Sequence, residues 1–166
     1  ENNENHLVTA AIGGGSWQPQ YYDLTNSSKY LDYINLMTYN MSTASGYHHT
    51  ALYPSNSYDN PTNKAGSTLT SCSISESVAI YNNYGVSNSK IIIGSGFYGI
   101  VQTRKSTTAA WEYSTNPSYS IIKNDYLNNS SFVSYYDETC QTPYLISNDG
   151  LTFVSYDNAR SINAKC

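Results

Sequence analysis

Residues 32–40 read Asp32-Tyr33-Ile34-Asn35-Leu36-Met37-Thr38-Tyr39-Asn40. The centre of this stretch is apolar and nearly continuous, without strict alternation. That is the pattern of a strand covered on both faces, as in parallel α/β sheets. Two further segments have the same texture. Leu7-Val8-Thr9-Ala10-Ala11-Ile12 is stopped by Gly13-Gly14-Gly15, and Ile91-Ile92-Ile93 is stopped by Gly94. Between the first two lies Ser27-Ser28-Lys29-Tyr30-Leu31, which predicts a short helix with a Ser or Thr cap. Between the second and third, Ile74, Val78, Tyr81 and Tyr84 recur at helical spacing over 73–84, and Gly85 supplies a stop. The order strand, helix, strand, long loop, helix, strand implies parallel strands joined by helical crossovers. The long loop, residues 41–70, is rich in Ser, Thr, Asn, Pro and Gly. Loops of that length inside compact domains are more often functional than accidental.

Beyond Gly99 the texture changes. Phe132–Tyr136, Pro143–Ile146 and Thr152–Tyr156 have β-type composition, and Asn148-Asp149-Gly150 is a hairpin turn between the last two. These segments predict a small antiparallel unit over 100–156. Residues 157–165 then read as the beginning of a helix.

The whole sequence is 166 residues, too short for a complete (β/α)₈ barrel, which takes about 250. Lys and Arg number 8 and Asp and Glu 12, a net charge of −4. Only 12% of residues are charged. That argues against nucleic acid and against a polybasic membrane anchor as partners. No apolar run reaches the roughly 18 residues that span a bilayer; no signal peptide is visible, and the abrupt start at Glu1 reads as processed or truncated, so it does not bear on secretion. Tyr is abundant, 18 against 3 Phe and 2 Trp, on a surface rich in amides and hydroxyls. Such a surface suits uncharged polyhydroxy ligands, because Tyr offers a flat apolar face and a polar tip. Cys72, Cys140 and Cys166 are too widely spaced for a zinc pattern. Three isolated thiols is the plainer reading; one disulfide and one free thiol is the alternative. The three glycines lack the spacing and the Lys of a phosphate cradle and read as a turn.

Taken in order, these stretches resemble the C-terminal half of glycoside hydrolase family 18, the chitinases. Leu7–Ala11 with its glycines resembles the fifth barrel strand, and residues 32–40 resemble the sixth-strand motif D-x-I-N-x-M-x-Y-D. His48-His49-Thr50-Ala51-Leu52-Tyr53 resembles the loop that follows. Tyr84–Gly94 resembles the approach to strand seven, and Phe97-Tyr98-Gly99 its end. Asp137, Thr142-Pro143-Tyr144 and Phe153–Asp157 resemble the close of the chitinase insertion domain. The departures are plain too. The acid motif D-x-x-D-x-D-x-E of the fourth strand is absent from these residues, as is the Trp-bearing eighth strand. Asn40 replaces the usual Asp, and Ile100 stands where many members have Arg.

The resemblance implies an α/β fold: part of a (β/α)₈ TIM barrel, about strands five to seven, with an inserted small α+β domain. Residues 1–99 would be barrel, 100–156 the insertion, and 157–166 the return to the barrel. It implies hydrolysis of β-1,4-linked N-acetylglucosamine polymers, with chitin or its oligosaccharides as partner. The substrate's own acetamido group would act as nucleophile and configuration would be retained, outside the two-carboxylate scheme. Tyr39 would hold that group in attack geometry beside Asn40. Met37 and Ala11 would line the sugar site, and Tyr98, Trp111 and Tyr144 would form a stacking wall. No cofactor and no metal are implied. The missing half of the barrel would come from the parent chain, and the location would be extracellular or cell-surface. Adjacent His48 and His49 lack a third metal ligand, Cys140 lacks a placed His partner, and neighbours Asp137 and Glu138 point apart. Two other readings stay open: a chitinase-like binding protein that has lost its acid, and a peptidoglycan or spore-coat glycosidase of the same family. The residue at the end of strand four separates the enzyme from the binding protein.

Overall fold

The computed structural model describes residues 6–43, 45–54 and 73–166. Cys72 and the whole second half of the long loop lie outside the described residues.

Strands β1 (Thr9–Gly13), β2 (Tyr33–Met37) and β3 (Ile91–Ile93) form a parallel sheet in that order. The register puts Gly13 beside Met37 and Leu36 beside Ile93, so the three C-terminal ends are level. Between β1 and β2, helix α1 (Leu24–Ser27) runs into a 3₁₀ turn, Ser28–Tyr30. Helical structure thus begins earlier than the expected 27–31. Asp23 explains this, because its carbonyl accepts from the Ser27 N–H and hydroxyl and its carboxylate from the Asn26 amide. Helix α2 (Ile74–Asn83) crosses from β2 to β3. It opens with a capping box in which Ser73 and Glu76 satisfy one another's main-chain N–H.

Ile12, Ile34 and Leu36 point to one side of this sheet and meet Leu24, Tyr81 and Val86. Full burial of each aliphatic side chain is worth roughly 1.5–3 kcal/mol, so this layer holds helices to sheet. Tyr81 is fully buried and its hydroxyl donates to the Gly13 carbonyl at 2.6 Å. Burial pushes its phenol well up. The other face carries Ala11, Tyr33, Met37 and Ile92, all exposed.

The second sheet is antiparallel and five-stranded, in the order β5-β4-β8-β7-β6. Its members are β4 (Gly99–Thr103), β5 (Glu112–Thr115), β6 (Phe132–Asp137), β7 (Thr142–Ser147) and β8 (Thr152–Tyr156). The expected turn at 148–150 joins β7 to β8, with Gly150 at φ 70 and its N–H on the Ser147 carbonyl. Helix α3 (Tyr119–Ile121), prolonged by a π-helical segment Ile122–Leu127, was not legible in the sequence. It seals one sheet face by placing Ile122 against Val101, Leu145, Val154 and Tyr156. Helix α4 (Ala159–Lys165) closes the chain, capped by Asn158 and Ser161.

Residues 45–50 dock between the two sheets. The Gln102 side chain accepts from the Gly46 N–H and donates to the Tyr47 carbonyl, and Ser155 Oγ accepts from the His49 N–H at 3.0 Å.

Candidate functional site

The level strand ends create a floor. The Gly14 N–H donates to the Met37 carbonyl, and Thr38 Oγ1 donates to the Gly94 carbonyl at 2.7 Å. A Cβ on Gly94 would sit 2.8 Å from the Leu36 carbonyl oxygen and 2.9 Å from the Tyr39 ring, so only glycine lets Tyr39 lie here. Above this floor is a cleft of about 220 Å³ lined by Gly13–Gly15, Trp17, Gln18, Met37 and Tyr39–Met41. It lies at the C-terminal ends of parallel strands, where open α/β sheets and barrels alike place their sites.

Asn40 turns the chain after β2 with φ 55, a left-handed conformation that Asn tolerates better than most residues. Its Oδ1 accepts from the Tyr98 hydroxyl at 2.7 Å, and its main-chain N–H donates to His49 Nδ1 at 3.4 Å. The Tyr98 ring meets Tyr39 edge-on, with centroids 6.1 Å apart, and lies 5.4 Å from the His49 ring. Burial, with Tyr39 alongside, pushes the Tyr98 phenol up to about 12, against the opposing Asn40 hydrogen bond. Tyr98 is therefore a neutral donor at working pH. Burial, then the positive Lys165 and the neighbouring His48, lowers His49 to about 3. It is therefore a neutral imidazole.

Behind His49 a buried network anchors the loop. Lys165 Nζ contacts both Asp157 carboxylate oxygens, at 2.6 and 2.7 Å, and donates to Thr50 Oγ1 at 2.8 Å. Ser161 Oγ donates to Asp157 at 2.7 Å. Burial lowers the Lys165 ammonium, and Asp157 opposes that shift.

His48 points the other way. Its Nε2 lies 3.5 Å from Asp137 Oδ2, and its ring packs on Tyr144 and Phe153. Burial alone would raise the Asp137 carboxyl. Hydrogen bonds from His48 and the Cys140 N–H outweigh burial and hold it well below the usual carboxylate range. Among the described residues, potential ligand atoms of His48, Asp137 and Cys140 come within 4.8 Å of one another. This corrects one expectation, because the fold does bring a His to Cys140. The thiol is fully buried, however, and Asp137 Oδ1 already accepts from the Thr139 and Cys140 N–H groups. The arrangement locks loop to sheet. Glu138 turns outward to Arg160, so the neighbouring carboxyls do point apart.

Of the residues singled out from sequence, the fold brings Met37, Tyr39, Asn40 and Tyr98 together. Ala11 is exposed on β1 in register with Asn35, on the face away from the helices. Trp111 and Tyr144 belong to a different group. Trp111 is buried with Ile146 and Phe153, Arg104 covers its ring at 4.2 Å, and Tyr144 packs against that group. Sequence reasoning missed Trp17 and Gln18 in the cleft wall and His49 beneath it. A glycine run at the end of a strand, followed by Trp, is the signal that could have found the first two.

The sequence profile of Glycosyl hydrolases family 18 matches residues 1–166. The chain belongs to glycoside hydrolase family 18. Chitinase A1 of Niallia circulans is 25% identical over 98% of this chain and 25% of its own length. A family 18 N-acetylglucosaminidase from Paenibacillus barengoltzii superposes with a TM-score of 0.80 at 29% identity, over 99% of this chain and 48% of that one. A Bacillus thuringiensis chitinase gives 0.81 at 25% identity, over 98% and 29%. A cell-surface-expressed, multi-modular chitinase from Paenibacillus sp. gives 0.79 at 30%, over 99% and 19%. The chain thus spans less than half the length of these relatives. These neighbours place the parallel sheet within the TIM-barrel family, and mixed α/β content with separate parallel and antiparallel sheets is consistent with a partial barrel.

Proposed function

We propose that this chain is the C-terminal part of the catalytic barrel of a chitinase-type enzyme acting on β-1,4-linked N-acetylglucosamine polymers. Residues 1–99 supply barrel strands, 100–156 the chitinase insertion domain and 157–166 the return to the barrel. The exposed face of β1–β3, with Tyr33, Met37 and Ile92, supports this reading, because parallel sheets are ordinarily covered on both faces. The remaining strands of the parent would cover it. The location is extracellular or cell-surface, in keeping with the cell-surface relative.

The observation that carries the proposal is the Tyr39–Tyr98–Asn40 cluster on a cleft at the ends of parallel strands. In the intact parent, an acid from the preceding strand protonates the leaving oxygen. The substrate's acetamido oxygen attacks the anomeric carbon and forms an oxazolinium ion, which water opens with net retention. The Tyr39 hydroxyl holds the acetamido group for attack, an effect of proximity and orientation. Met37 borders the sugar beside it. These 166 residues carry no D-x-x-D-x-D-x-E motif. Acting alone they lack general acid catalysis, typically worth ~10²–10⁴-fold.

The test is Tyr39→Phe in the full-length enzyme with chitin oligosaccharides. A hydrogen bond to a charged group is worth about 1.5–3 kcal/mol, so kcat falls roughly 10- to 150-fold with KM little changed. An unchanged kcat overturns the role of Tyr39. A wild-type parent that binds chitin oligosaccharides without cleaving them establishes the non-catalytic binding protein instead.

A further inference from the structure

One residue under the cleft is unexplained by the reaction as described. His49 is fully buried, and its main-chain N–H, main-chain carbonyl and Nδ1 each serve a different part of the fold. Its N–H donates to Ser155 Oγ of β8 at 3.0 Å, and its carbonyl accepts from the Met41 N–H at 3.0 Å. Its Nδ1 accepts from the Asn40 N–H at 3.4 Å. The Asn40 N–H sits at a left-handed residue just past the end of β2, where no ladder partner remains for it. A main-chain donor left unpaired there costs about 1–3 kcal/mol and loosens the conformation it belongs to. The imidazole supplies the acceptor. The same ring forms the surface against which Tyr98 lies, and Tyr98 in turn holds the Asn40 carboxamide oxygen. With Oδ1 engaged, the Asn40 Nδ2 hydrogens are left for the sugar.

We propose that His49 is a positioning residue for the acetamido-binding cluster: its Nδ1 fixes the left-handed Asn40 main chain, and its ring fixes Tyr98. The antiparallel sheet thereby sets the geometry of a site built on the parallel one. The inference rests on the function proposed above. The role needs a neutral ring with a free lone pair on Nδ1, because an imidazolium N–H would face the Asn40 N–H. The buried setting beside Lys165 excludes that charge.

The experiment uses the full-length enzyme and chitotetraose, with His49→Asn and His49→Gln made in the wild-type and Asn40→Ala backgrounds. The Asn oxygen can occupy the place of Nδ1. The Gln amide reaches only towards Nε2 and leaves the Asn40 N–H without an acceptor. His49→Asn is expected to keep kcat/KM within about threefold of wild type, and His49→Gln to lower it roughly tenfold, mainly in kcat. In the Asn40→Ala background the main-chain N–H is kept but the carboxamide that it positions is gone, so His49→Gln should cost less than about twofold. Equal losses for Asn and Gln, or a full additive loss in the Asn40→Ala background, overturn the proposal. If Asn40→Ala is itself impaired while those results appear, only the His49 assignment falls. If Asn40→Ala has wild-type kcat/KM, the function assigned to the cluster falls, and the inference with it.

Discussion

Replacing Lys165 by Met probes the network that ties α4 to the loop beneath the cleft. The side chains of Lys165 and Asp157 are each 2% exposed, and the ammonium contacts both carboxylate oxygens within 2.7 Å. Removing one partner of such a pair leaves a charge in a low-dielectric site and costs about 3–5 kcal/mol. Met fills most of the volume of the Lys stem, so the loss reports charge more than packing. Asp157 keeps the Ser161 and Thr50 hydroxyls at 2.7 and 3.2 Å but has no cation. Lys165 is also one of the groups that lower His49, so without it the folded protein accepts a proton on His49 more readily and the penalty should be smaller at pH 4.5 than at pH 7. The double variant Lys165→Met/Asp157→Asn should regain about half of the loss, since no unpaired charge remains. Urea unfolding of the full-length protein at pH 7 and 4.5, followed by fluorescence, reads these differences. A loss below about 1 kcal/mol at pH 7 would refute the buried-pair argument, and one that is the same at both pH values would show that Lys165 does not act on His49.

Two further outcomes follow from the site. Asn40→Asp puts a negative charge in the cleft, and like charges raise a neighbouring carboxyl pKa. The catalytic acid of the parent should then keep its proton to higher pH, and the alkaline limb of kcat/KM should move up; superimposable limbs would show that residue 40 is not coupled to the acid. The second concerns stability. The folded protein holds His49 neutral down to about pH 3, whereas the unfolded chain protonates it near 6.5. Its contribution is therefore complete above pH 6.5 and is lost as the pH falls towards 3, by about 1.4 kcal/mol per unit. Melting temperature against pH should fall less steeply below 6.5 in His49→Asn than in wild type, and parallel curves would count against this.

Much of the fold was legible because its signals are local. The nearly continuous apolar centre of residues 34–37 announced a parallel strand, Ile74, Val78 and Tyr81 at helical spacing announced a helix, and Asn148-Asp149-Gly150 closed a hairpin. Each depends on residues a few positions apart. The ordered motif series also located Tyr39 and Asn40 at a strand end. Other features carried no such signal. Strand β5 is exposed along its whole length, so no burial pattern marks it, and the π-helical segment breaks the regular helical period. Adjacent histidines look alike in sequence, yet one is turned to Asp137 and the other to Asn40. Trp111 has the composition of a sugar platform, but Phe153, Ile146 and Arg104 enclose it. These outcomes are decided by which distant surfaces pack. His49 is fixed by Ser155, 106 positions away, and burial between two sheets sets both its neutral charge and its partner. Sequence periodicity states which residues must leave water; the neighbours they meet there, and hence their chemistry, exist only once the sheets have closed on one another.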